Sequence, residues 1–137
     1  MRKHLASLGF ACLLSACGGF VHDEQLDRSY RLVAVDTSDD MIVCRRFTGA
    51  DCVGDELPGP TVFAAGANPN YVVIARHPRG EQGTDKSVTE YYYVKRPPED
   101  VPLRAENVVG PLTLAAFQAD QQRLGLPRFT RTLSDLK

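Results

Sequence analysis

Residues 61–77 read TVFAAGANPNYVVIARH, and the fold turns on this stretch. Two short apolar runs, Thr61–Ala65 and Tyr71–His77, flank Gly66-Ala67-Asn68-Pro69-Asn70. The runs are rich in the β-branched and aromatic residues that suit a pleated, half-buried surface. The residues between them supply turn chemistry: glycine permits positive φ, proline presets φ, and asparagine side chains bond to nearby backbone. Together they predict a β-hairpin.

The same pattern extends outward in both directions. Upstream, Tyr30–Asp36 (YRLVAVD) stops at the turn cluster Thr37-Ser38-Asp39-Asp40, and Met41–Phe47 (MIVCRRF) follows as a second hairpin. The two hairpins resemble each other at an offset of about thirty residues, but two copies are too few for a solenoid or propeller. Downstream, the polar loop Pro78–Ser87 leads to a fifth strand, Thr89–Lys95 (TEYYYVK), and Pro97-Pro98-Glu99-Asp100 ends the strand region. One helix is expected after it. Thr113 suits an N-cap, and Leu114, Phe117 and Leu124 fall on one stripe that Gln121 interrupts. Gly125-Leu126-Pro127 is a stop signal. The tail 128–137 stays open between a short strand and a docked end. The expected fold is therefore α+β: an antiparallel meander of about five strands, with one C-terminal helix packed on one face.

The N-terminal segment has a different character. Arg2, Lys3 and His4 form a basic start, and Leu5–Leu14 (LASLGFACLL) is an uncharged apolar run of ten residues. That is too short for a permanent membrane span, which needs about 20 residues, and suits the apolar core of a signal peptide. It ends in Leu14-Ser15-Ala16-Cys17. These four residues resemble the bacterial lipobox. The resemblance implies that the Cys17 thiol receives a diacylglyceryl group, that a peptidase cuts before it, and that the new amine is acylated. Several acyl chains anchor firmly, each buried methylene adding about 0.8 kcal/mol. The organisation that follows is a signal peptide over 1–16, a lipidated tether over 17–28 and one small domain over 29–137. Gly18 stands where an aspartate would favour inner-membrane retention, so in a Gram-negative host the expected address is the outer membrane, facing the periplasm.

Cleavage there takes Arg2 and Lys3 from the sixteen basic residues, leaving fourteen against seventeen acidic and a net charge of −3. A mildly acidic chain lacks the basic patch that phosphate binding needs, so nucleic acid is not an expected partner. Cys12 leaves with the leader and Cys17 carries lipid. Cys44 and Cys52 remain as an even pair in an oxidising compartment, and a disulfide between them is expected. Closing so short a loop contributes about 2–3 kcal/mol in the chain-entropy model. No histidine lies close enough in sequence to make a metal site of them, and no metal or cofactor is expected.

Catalytic patterns are sparse. The chain has no Gly-x-Ser-x-Gly, no His-Glu-x-x-His, no Cys-x-x-Cys and no phosphate-cradling glycine loop. His22 falls in the tether. His77, with Glu81 or Asp85 nearby in sequence, is the one candidate centre for hydrolysis. Tyr91-Tyr92-Tyr93 is the most distinctive internal feature. On a strand Tyr91 and Tyr93 share a face, and with Arg45 and Arg76 they are the candidate binding surface. The alternative is packing of the tyrosines beneath the helix. Arg45 and Arg46 are adjacent, so they point to opposite faces and one of them can serve an acidic partner.

The remainder of the chain resembles small bacterial lipoproteins that have a few hairpins, an aromatic strand and a Gly-Pro-Leu-Thr segment before one helix, here Gly110-Pro111-Leu112-Thr113. The resemblance implies a location and a shape, and no active site. The expected function is a non-catalytic binding module in the cell envelope, held to the membrane by the lipid on Cys17 and engaging an envelope protein or peptide. The alternatives are a structural accessory of an envelope complex and a hydrolytic enzyme using His77. An inhibitory role within the first class would present a protruding loop, with Pro78–Ser87 as the candidate.

Overall fold

The computed structural model describes residues 19–137, so Cys17 and the segment before it lie outside the described residues. Two larger antiparallel sheets, a two-stranded hairpin and one α-helix make up the described fold. The first sheet is a four-stranded meander of β1 (His22–Gln25), β2 (Tyr30–Ala34), β3 (Ile42–Phe47) and β4 (Ala50–Val53). The chain then builds β5 (Val62–Ala67) and β6 (Tyr71–Arg76), makes a small hairpin of β7 (Arg79–Gly80) and β8 (Gly83–Thr84), and returns as β9 (Glu90–Lys95) and β10 (Val108–Leu112). Helix α1 (Leu114–Leu124) carries it across to β11 (Arg131–Thr132). The second sheet has the order β10-β9-β6-β5-β11.

All five expected strands are present as β2, β3, β5, β6 and β9, and the α+β class with its C-terminal helix holds. They are shared between two sheets whose inward faces meet. Tyr30, Leu32, Met41 and Val43 of one side join Val72, Ile74, Tyr92 and Val94 of the other in one buried cluster. The opposite face of the second sheet packs on α1: Val73 and Tyr93 are buried with Phe117 and Leu126. Strands β5 and β6 are thus covered on both faces, as their continuous apolar runs require.

Local chemistry sets the turns. Between β5 and β6 the Asn68 carboxamide oxygen accepts from the amides of Asn70 (2.9 Å) and Tyr71 (2.7 Å), so the turn is tighter than the expected 66–70 and β5 runs on to Ala67. Between β3 and β4, Thr48 (φ 44°) and Gly49 (φ 81°) both have positive φ, as a two-residue primed hairpin turn requires. The Cys44–Cys52 disulfide staples this hairpin, with Cα atoms 5.1 Å apart. At α1 the Thr113 hydroxyl accepts from Ala116 N at the N-cap, and Gly125 (φ 66°) closes the C-terminus in the left-handed region.

One segment departs from expectation, and the open question of the tail is resolved. Residues 17–28 were assigned to a tether, yet β1 pairs along β2 from His22↔Ala34 to Gln25↔Arg31. Its residues are polar on both faces, and an edge strand held by backbone pairing and the Arg31–Asp23 ion pair (2.6 Å) leaves no apolar periodicity to detect. The tail does form a short strand. Thr130 N donates to Ala65 O (3.0 Å) and Leu133 N to Phe63 O (2.7 Å). No helix among the described residues is long and apolar enough to cross a membrane.

Candidate functional site

The four residues expected to form a binding surface do not share an open face. Tyr93 is only 3 % exposed beneath α1, and burial raises its phenol pKa. Tyr91 stacks on Phe117 at 5.3 Å between ring centroids. Packing under the helix therefore accounts for both. Arg76 faces the other side of the sheet. Its guanidinium pairs with Glu90 (2.9 Å), donates to Gly59 O (3.1 Å) and lies over the Tyr92 ring, tying the loop before β5 to the sheet. Arg45 is 3 % exposed and donates to Val101 O (2.8 Å) and Pro98 O (2.9 Å). It holds the segment after β9 against the first sheet.

His77 is equally interior at 4 % exposure. Its ring stacks on Phe63 at 4.4 Å, and Nδ1 lies 2.8 Å from Val88 O, which selects the tautomer that donates from Nδ1. Its Nε2 has no hydrogen-bond partner among the described residues. Glu81 is exposed at the tip of the β7–β8 hairpin. Asp85 is also exposed; its carboxylate accepts from the Ser87 hydroxyl (2.5 Å) and amide (3.0 Å), which holds its pKa below the ordinary carboxylate value. Neither carboxylate bonds to His77; the Thr89 hydroxyl lies 3.4 Å from Nδ1, the nitrogen already committed to Val88 O, so among the described residues no nucleophile–base–orienter chain is assembled there. The 78–88 loop is pinned at its base, where Thr84 meets Thr61 (2.9 Å) and Arg79 pairs with Asp40 (2.5 Å).

One of several open, polar concavities among the described residues lies at the end of the first sheet. It is a cleft of about 310 Å³ lined chiefly by Gln25, Arg28, Ser29, Arg46, Thr48 and Glu99. Each wall has a local cause. The Asp27 carboxylate accepts from the amides of Ser29 (2.8 Å) and Tyr30 (3.0 Å), reversing the chain between β1 and β2 at exposed Arg28. On β3 the pleat sends Arg45 inward with Met41 and Val43, so Arg46 projects outward. Glu99 arrives on the segment that Arg45 pins, and accepts from the buried Ser29 hydroxyl at 2.9 Å.

Arg28 has no ion-pair partner among the described residues. Arg46 has one acidic neighbour, Asp51 at 3.8 Å, and both side chains are largely exposed at 68 % and 81 %. Such a contact contributes little in water. Phe47, next along β3, lines this cleft and also a smaller, mainly apolar hollow of about 130 Å³ shared with Val53, Pro102 and Leu103 and bordered by Arg45 and Asp55. Arg28 carries no signal in the sequence because it sits in a turn outside any apolar run. Arg46 is one half of an adjacent pair whose members alternation sends to opposite faces without saying which is inward, and the expected binding surface took Arg45 instead. Comparison of the chain with protein-family models, with curated proteins and with solved structures found no match.

Proposed function

We propose that this protein is a lipid-anchored envelope module that binds a protein or peptide partner without catalysing a reaction on it. The address rests on Leu14-Ser15-Ala16-Cys17 after a ten-residue apolar run. A thiol at that position, with small neighbours before it, is the substrate of lipid transfer and signal cleavage. The binding role rests on one observation above the others. An exposed concavity at the end of the first sheet presents two guanidinium groups, Arg28 and Arg46, that the protein's own carboxylates leave almost unengaged. Buried Arg45 is by contrast committed to backbone carbonyls, and His77 Nδ1 to Val88 O.

The lipid-anchor reading is tested by intact-mass analysis of the protein from a bacterial host. The expected result is a chain beginning at Cys17 with a diacylglyceryl group and an amide-linked acyl chain, and a Cys17→Ser variant with neither cleavage nor acyl mass. A parent with an unmodified Cys17 would refute the anchor. Crosslinking in living cells from surface positions, followed by partner identification, tests the binding role. Recovery of the protein without any reproducible partner would refute it.

A further inference from the structure

We infer that the Arg28–Arg46 cleft takes the carboxylate of an acidic residue in a peptide, and that the adjoining hollow across Phe47 takes an aliphatic side chain of the same peptide. This rests on the binding-module reading and names its ligand. The cleft has two exposed guanidiniums with open donors and one carboxylate, Glu99, already engaged by the Ser29 hydroxyl. The lining side chains sum to one positive charge, offset in part by Asp51 beside Arg46, so a singly charged carboxylate suits the cleft better than a doubly charged phosphate. A guanidinium and a carboxylate match in bidentate geometry, and such charge-assisted pairs are stronger than neutral hydrogen bonds.

The neighbouring hollow supplies the second specificity element. At about 130 Å³, lined by Phe47, Val53, Pro102 and Leu103 with Arg45 and Asp55 at its margin, it is mainly apolar and has room for a branched aliphatic side chain. Phe47 is common to both spaces, so one short segment can occupy the two at once. The surrounding framework is fixed before any ligand arrives. The disulfide staples the hairpin that carries Arg46 and Phe47, and buried Arg45 anchors the backbone at Pro98 and Val101 beside Glu99 and Leu103. Preorganisation of this kind lowers the ordering cost of binding.

The test is isothermal titration of the full chain in nonionic detergent with an acetylated, amidated hexapeptide of alternating leucine and aspartate. Saturable binding is expected, weakened about tenfold or more in the double variant R28A/R46A. Arg104 and Arg128 are exposed and lie outside the cleft, so R104A/R128A is a charge-matched control expected to bind as the parent does. The corresponding leucine–asparagine peptide is expected not to bind. Absence of binding to the parent, equal weakening in both double variants, or tighter binding of inorganic phosphate than of the peptide would each overturn the assignment. Photo-crosslinkers at Thr48, on the cleft, and Leu114, on the helix, distinguish this failure from that of the broader reading. A reproducible cellular partner captured from Leu114 alone overturns this site and keeps the binding module. Capture of none from any surface position overturns both.

Discussion

Arg45 and Arg46 are neighbours in sequence and opposites in physical role. Arg45 lies on the inward face of β3 with its guanidinium over the Phe47 ring and two of its donors on backbone carbonyls. Truncating it leaves those carbonyls short of partners and opens a void, so Arg45→Ala is expected to cost about 2–4 kcal/mol. Arg46→Ala, which removes an exposed side chain with one loose ionic contact, should stay within about 0.5 kcal/mol. Urea midpoints at unchanged slope measure both. Equal losses would mean that burial does not separate the two residues as described. The distinction was not legible in MIVCRRF: Met41 and Val43 precede Arg45 on one face, Ile42 and Cys44 precede Arg46 on the other, and alternation says only that the two arginines point apart. Nor does period two reveal that the inward arginine finds its partners more than fifty residues away.

Among the elements, β11 depends most on a single small residue. A Cβ on Gly66 would lie 2.0 Å from the Arg128 carbonyl oxygen, far inside van der Waals contact. Gly66→Ala must therefore push the tail off β5, and a loss of about 2 kcal/mol or more is expected. Hydrogen exchange reports it directly: the Thr130 and Leu133 amides, which donate to β5, should lose protection while those of β6 and β9 keep theirs. Retained protection at Thr130 and Leu133 would show that the tail is held elsewhere. In the sequence Gly66 reads as a turn residue, yet it lies within β5 and its role is close approach. The helix was more transparent, with its N-cap at Thr113 and its stop at Gly125. Its stripe is narrower than the spacing suggested: Phe117 is buried, Leu114 is 49 % exposed, and Gln121 turns back to donate to Pro127 O (3.1 Å).

At the scale of the whole molecule, three tyrosines couple the layers to pH. Burial raises the phenol pKa of Tyr30, Tyr92 and Tyr93 above the ordinary value of 10.0. A raised folded-state pKa means that the native state holds those protons more tightly than the unfolded chain. The stability is full below about pH 10 and declines as pH rises through the raised values. Denaturant midpoints should therefore fall from pH 10 upward, and ionisation of these three phenols should accompany loss of tertiary structure. Ionisation at the ordinary value with the fold intact would contradict their burial between sheet and sheet or sheet and helix.

The five principal strands, the helix with both its ends, and the disulfide pair follow from the chain alone, because β-branched runs, turn residues, caps and closely spaced cysteines act within a few positions of themselves. The partition of strands into two sheets, the polar edge strand β1 and the burial of Tyr93 and Arg45 were decided only in three dimensions. Alternation states that a strand has two faces. Which element covers each face depends on contacts between residues tens of positions apart, and the Arg28–Arg46 cleft exists because such contacts bring Glu99 to the turn at Ser29.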